Sequence, residues 1–79
     1  SYYRENAVVW LQTQTPTYFI YPVWEDFYEH GGPIEKIAYW AVGYYTKGKA
    51  GLFTNIATGD SHPEALIAAI EYVYKENEQ

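Results

Sequence analysis

The side chains best suited to chemistry lie in one short segment, Gly59-Asp60-Ser61-His62-Pro63-Glu64. A hydroxyl, an imidazole and two carboxylates in this segment could serve a Ser-His-Asp hydrolase or a metal site. Triads, however, are assembled from distant segments, and a metal site needs three or four ligands. The spacing Ser61-x-x-Glu64 instead predicts a helix capping box, and Asp60 would complement the helix dipole. We therefore predict no enzymatic activity, cofactor or metal, and a hydrolase using Asp60 and His62 is only a minor alternative.

The second set of candidates is the aromatic residues. Ten Tyr, three Trp and three Phe make up 20% of the 79 residues, which is more than a core of this size encloses. Rings can stack on planar bases, and nearby cations could hold a phosphate. Tyr and Trp are also enriched at interfaces. The aromatic residues are therefore equally consistent with a ligand pocket and with a subunit interface. The predicted ligand-binding residues are Arg4, Trp40, Tyr44, Tyr45, Lys47 and Lys49.

Residues 61–77 give the clearest secondary-structure signal, a helix capped by Ser61 with Pro63 in its first turn. At about 100° per residue, its polar side chains fall on one narrow strip. The remaining apolar arc spans roughly 220°, whereas a helix packed on one sheet needs a little over 100°. We therefore expect this helix to be covered on two sides, by its own sheet and by a second element, a second subunit or a ligand.

The rest of the chain predicts strands and one further helix. Residues 7–13 and 17–21 are rich in β-branched and aromatic residues and predict a hairpin. Pro22 and Gly31-Gly32-Pro33 predict the start and end of a short helix; one helix over residues 17–30 would place Pro22 inside it, at a cost of about 3 kcal/mol. The predicted elements are a loose lead-in over 1–6, strands over 7–13 and 17–21, a helix over 22–30, a strand over 34–46, a turn at Lys47-Gly48, a strand over 49–57 and the final helix.

This order, ββαββα, predicts a single α+β domain over residues 1–79. The expected sheet has four strands and is mainly antiparallel, with the short helix and the long C-terminal helix packed on one face. The long strand is apolar on both sides, so neither face should be left to bulk water. One side carries Ile37, Tyr39, Ala41, Gly43 and Tyr45; the other carries Ala38, Trp40, Val42 and Tyr44.

The net charge and the composition exclude several classes of function. A net charge of −5 argues against binding a nucleic-acid polymer, which needs many cations. The chain has no cysteine, hence no disulfide or thiolate chemistry. No apolar run approaches the roughly 20 residues of a membrane span, and no signal peptide is recognisable. We therefore predict a cytoplasmic protein without a membrane partner, and its small core favours homo-oligomerisation.

The final segment resembles a known family. Thr58-Gly59-Asp60-Ser61, followed by Glu64-Ala65-Leu66 and Ala69, resembles the start of the helix in HicB-type antitoxins, where a Tyr-rich strand pair also precedes it. The resemblance covers about the last half of the chain, and the family's further strand after the helix is not present in these residues. Capping boxes before small-residue helices also occur in unrelated proteins, so no family is assigned. In composition the chain is similar to small phage-encoded inhibitors of bacterial defence.

Together these patterns predict a non-enzymatic, homo-oligomeric binding protein. Aromatic stacking and a few cations would hold a small planar, nucleotide-like ligand, as in a phage-type protein that sequesters a bacterial defence signal. The alternative is an acidic protein–protein inhibitor or antitoxin-like module that binds a protein partner through its aromatic face.

Overall fold

A computed structural model describes residues 2–46 and 51–78 of the chain. Its three described strands form one antiparallel sheet, in which the second strand lies between the first and the third. The protein is therefore α+β as predicted, but the described elements follow the order αβββα with three strands, not ββαββα with four. The elements are helix α1 (Tyr2–Gln12), strands β1 (Phe19–Glu29), β2 (Gly32–Tyr45) and β3 (Phe53–Gly59), and helix α2 (His62–Asn77).

Helix α1 replaces both the predicted lead-in and the first predicted strand. Leu11 is 1% exposed and Val9 is 57% exposed, although two residues apart they would share one face of a strand. The large difference in their exposure is expected for a helix, in which residues two positions apart lie on nearly opposite sides. The side-chain hydroxyl of Thr13 donates to the Trp10 carbonyl at 2.7 Å at the end of the helix. Burial of Leu11 against α2 and the sheet overrides the strand propensity of the local sequence.

Strand β1 runs through the segment predicted as a short helix. Pro22 is accommodated because β1 is an edge strand, where one missing N–H need not disrupt the sheet. The glycine pair that predicted a helix end belongs instead to a two-residue hairpin, because Glu29 pairs with Gly32. His30 and Gly31 both have positive φ, 45° and 95°, as a type I′ turn requires.

The predictions for the second half of the chain agree better with the structure. Strand β2 covers the predicted long strand, and β3 covers most of the predicted return strand. The predicted turn at Lys47-Gly48 lies outside the described residues. Helix α2 begins after Ser61, whose side chain accepts a hydrogen bond from the Glu64 N–H at 3.3 Å, as the capping motif predicts.

Both helices pack on one face of the sheet. The core joins Leu11 of α1 and Val42 of β2 to a buried stripe on α2, formed by Ala65, Leu66, Ala69 and Val73. The second side of α2 is covered in part by α1, where Trp10 stacks on Tyr74 with ring centroids 5.3 Å apart. Ile67 and Tyr74 nevertheless remain 58% and 56% exposed. A second element therefore covers part of the wide apolar arc and leaves part of it open.

The molecule is elongated, with extents of 51 × 33 × 19 Å. Its radius of gyration of 14.7 Å exceeds the value of about 12 Å expected for a compact chain of this length. Strand β3 pairs with β2 only from Trp40 to Tyr45. The rest of the β1–β2 hairpin therefore extends beyond the end of β3 as a two-stranded ribbon. We call residues 24–37 the arm. Of the residues described, none form a helix long and apolar enough to cross a bilayer.

Candidate functional site

The sheet face opposite the helices carries a cluster of four rings. Side chains alternate between the two faces of a strand, and Trp40, Val42 and Tyr44 belong to the helix-covered core. Tyr45 therefore lies on the open face, together with its β3 partner Phe53. Strand β1 adds two rings, because Phe19 pairs with Gly43 and Tyr21 with Ala41. We call Phe19, Tyr21, Tyr45 and Phe53 the aromatic cluster.

Gly43 lies at the centre of the aromatic cluster and leaves room for it. A Cβ at this position would lie 2.6 Å from Cε1 of the Phe53 ring and would overlap the Thr54 carbonyl oxygen. The rings contact one another edge to face, a favourable aromatic geometry. Their centroids are separated by 4.8 Å for Tyr45–Phe53, 5.2 Å for Tyr21–Phe53 and 6.1 Å for Phe19–Tyr45.

The cluster encloses a shallow depression of about 420 Å³ lined by its four rings. Phe19 and Tyr45 are 40% and 63% exposed, so ring surface is available at its mouth. The Tyr21 hydroxyl donates to Asn55 Oδ1 at 2.6 Å, which fixes the phenol and leaves the Asn55 amide N–H groups as donors. The depression therefore offers ring contacts and a polar edge, while its lining includes no carboxylate or imidazole.

The predicted ligand-binding residues are spread over the molecule. Tyr45 belongs to the aromatic cluster. Trp40 and Tyr44 lie on the helix-covered face, where Trp40 contacts His62 at 4.9 Å and Tyr44 contacts Tyr18 at 5.9 Å between ring centroids. Arg4 lies on α1. Lys47 and Lys49 follow Tyr45 by two and four residues in the sequence and lie outside the described residues.

The predicted ligand-binding residues do not include three of the four cluster residues, Phe19, Tyr21 and Phe53, although Tyr21 belongs to the aromatic residues that the sequence places on strands. Alternation along the predicted strand 49–57 places Phe53 and Asn55 on one face, and in the structure both contact Tyr21. The missing information was the register, since residues 17–21 were expected to pair with residues 7–13. Only the observed pairing with β2 brings Phe19 and Tyr21 beside Tyr45.

A second depression, of about 490 Å³, lies where α1 meets the start of α2. It is lined by Arg4, Glu5, Val8, Val9 and His62. The Nδ1 atom of His62 is buried and has no hydrogen-bond partner in the described part of the chain. The described residues also hold no group of three or more His, Asp or Glu side chains that could bind a metal. The arrangement therefore lacks the nucleophile–base–orienter contacts of a triad.

Acidification is expected to destabilise the fold through His62. Burial lowers the pKa of its imidazole, and Arg4 lowers the pKa further, so the unfolded chain takes up this proton at a higher pH than the folded chain. The stability associated with neutral His62 is therefore fully present above the ordinary histidine pKa of about 6.5 and is lost as the pH falls below it.

Thermal unfolding between about pH 8 and about pH 5 tests this expectation. The unfolding midpoint should decline less in His62→Gln than in the wild type. His30→Asn is the matched control, because it removes the other imidazole at a turn position that asparagine tolerates. Its unfolding midpoint should decline with falling pH as much as that of the wild type. Equal declines in wild type and His62→Gln would contradict the assignment.

Comparison with family models finds no match, and searches of curated proteins and of solved structures return no significant relative. The similarity of residues 58–69 to HicB-type antitoxins therefore remains a resemblance of one segment.

Proposed function

We propose that this protein is a non-enzymatic binding protein whose aromatic cluster holds a small planar, nucleotide-like ligand. The observation that carries the proposal is the arrangement of four rings around Gly43 on a sheet face without a helix layer. The ring surface of Phe19 and Tyr45 that is exposed here is costly to leave in water, and a pocket lined by rings with a few polar groups is typical of small-molecule sites.

The size and chemistry of the depression favour a single heterocycle. Its volume of about 420 Å³ lies near the lower end of ligand pockets, which span roughly 300–1,000 Å³. A base could contact Tyr45 and Phe19 and receive a hydrogen bond from the Asn55 amide. Lys47 and Lys49 follow Tyr45 closely in the sequence and are the proposed phosphate contacts. Arg4, on α1, is not part of this set.

The proposal includes homo-oligomerisation, because the depression is open on one side. The buried core of the described residues comprises only eight side chains, and small cores gain stability from association. A second copy placed over the open face would desolvate the rings and enclose the ligand. In the cytoplasm, such a protein could sequester a signalling nucleotide, in the manner of a phage-type inhibitor of bacterial defence.

Calorimetric titration with mononucleotides and cyclic nucleotides tests the proposal. Tyr45→Ala should weaken binding about tenfold or more, since stacking of a base on a ring contributes roughly 1–3 kcal/mol. Lys47→Ala should weaken it in a manner that depends on salt concentration. Tyr28→Ala is the matched control, because Tyr28 is 81% exposed and lies on the arm. The proposal fails if no nucleotide binds, or if Tyr45→Ala binds as tightly as Tyr28→Ala.

The second candidate is a protein–protein inhibitor or antitoxin-like module. The observation that favours it is the arm, whose exposed side chains suit a macromolecular partner better than a single heterocycle. The two candidates differ in what accompanies the protein from a bacterial lysate. A compound with nucleobase absorbance favours the first, and a stoichiometric protein favours the second.

A further inference from the structure

The arm exposes apolar side chains that no other element of residues 2–46 and 51–78 covers. All of its residues are exposed except Gly32, which is partly buried. A two-stranded hairpin is at best marginally stable alone in water, and exposed apolar surface of this kind marks interaction sites. Its large apolar residues and their exposed fractions are Trp24 53%, Phe27 38%, Tyr28 81%, Ile34 42% and Ile37 38%.

One face of the arm carries a cation that is held by its neighbours. Lys36 Nζ lies 2.8 Å from Glu29 Oε1 and 5.8 Å from the centre of the Phe27 ring. Phe27 pairs with Ile34 across the two strands. On this face a cation therefore contacts both a carboxylate and a ring, and it needs no external partner.

The opposite face of the arm carries two carboxylates and no cation. Its cross-strand pairs are Trp24 with Ile37, Asp26 with Glu35, and Tyr28 with Pro33. We call these six residues the docking face. Two carboxylates stand directly opposite each other between two apolar pairs, an arrangement that destabilises a free hairpin. Within the described ranges, neither carboxylate has an ion-pair or hydrogen-bond partner.

The charge of this face selects its partner. Two arms packed through their docking faces would bring four carboxylates together, and the whole chain carries a net charge of −5. A second copy is therefore disfavoured here. A cationic side chain inserted between Asp26 and Glu35 would neutralise both, while apolar groups on either side would cover Trp24 and Tyr28.

We propose that the docking face binds a basic protein segment in which lysine or arginine alternates with apolar residues. The alternation matches the spacing of the arm, because pairs on one face recur every second residue along a strand. This interaction is separate from the aromatic cluster.

The experiment uses a short synthetic peptide of alternating lysine and valine, with a peptide of alternating glutamate and valine as its counterpart. The full chain should bind the lysine peptide at least tenfold more tightly than the glutamate peptide. Binding should shift the tryptophan emission to shorter wavelength as Trp24 loses water, and Trp24→Phe should bind with a smaller shift. A lysine peptide that binds no better than the glutamate peptide would overturn the proposal.

A pair of double variants separates the docking face from general attraction to an acidic protein. Asp26→Asn/Glu35→Gln should weaken binding of the lysine peptide about tenfold or more. Glu71→Gln/Glu78→Gln removes the same net charge at exposed positions in and just after α2, away from the arm, and should change binding less than twofold. Equal losses in the two double variants would refute a specific site. Circular dichroism checks that both are folded, and nucleotide binding, which tests the aromatic cluster, should be unchanged in both.

Discussion

Replacing Gly43 by alanine is expected to destabilise the protein by more than about 3 kcal/mol, at or beyond the upper end for overpacked cores. The new methyl group would lie 2.9 Å from the Thr54 carbonyl carbon and would overlap its oxygen. A ring at the end of a side chain can rotate away, but the backbone of the paired strand can move only if β3 separates from β2. A chain of this length has roughly 4–12 kcal/mol of total stability, so much of it should be lost.

Gly32→Ala is the matched control for this prediction. A Cβ on Gly32 would meet no atom within 4 Å, and the substitution restricts the unfolded chain. We expect Gly32→Ala to be neutral or to stabilise by about 0.4–1 kcal/mol. Urea unfolding followed by circular dichroism measures both variants. Equal midpoints for Gly43→Ala and Gly32→Ala would mean that β2 and β3 are not in such close contact.

Leu11→Ala is expected to lower the free energy of unfolding by about 2–5 kcal/mol, the usual range when a large apolar side chain is removed from a core. Leu11 is 1% exposed and connects α1 to the buried stripe of α2. The core is small, so few neighbouring side chains can move into the cavity. Loss of this contact should also free Trp10 from its stack on Tyr74 and change the tryptophan emission.

Val9→Ala tests the helical geometry of α1 against the strand expected from the sequence. Val9 lies in the same helix but is 57% exposed, so its truncation should change the free energy of unfolding by less than about 0.5 kcal/mol. A strand over these residues would place both side chains on one face and make the two losses similar. Denaturant unfolding of the two variants therefore distinguishes the two structures.

Some elements could be predicted because their local signals agree with their tertiary contacts. Helix α2 has a cap, a proline in its first turn and a continuous apolar arc, and the structure confirms it. Strand β2 is long and rich in β-branched and aromatic residues, and the expected alternation holds from Tyr39 to Tyr45. A bulge between Val23 and Trp24 makes Ile37 the partner of Trp24, so the expected row that joins Ile37 to Tyr39 is wrong at that point. The neighbouring strand β3 begins at Phe53, later than expected.

Other elements could not be predicted because their local signals are ambiguous. Proline followed by glycines marks either the ends of a short helix or an edge strand with a tight turn, and the positive φ values that distinguish them are not visible in the sequence. Residues 7–13 favour a strand locally, while burial of Leu11 selects a helix. Both errors change which strands pair. The aromatic cluster depends on that pairing, so its members from β1 could not be identified.

Native mass spectrometry of the purified protein, incubated with a mixture of mononucleotides and cyclic nucleotides, tests most directly whether the aromatic cluster serves as a binding site. We expect a homo-oligomer that retains a nucleotide, and loss of the retained mass in Tyr45→Ala. A monomer that retains no small molecule in either form would contradict it.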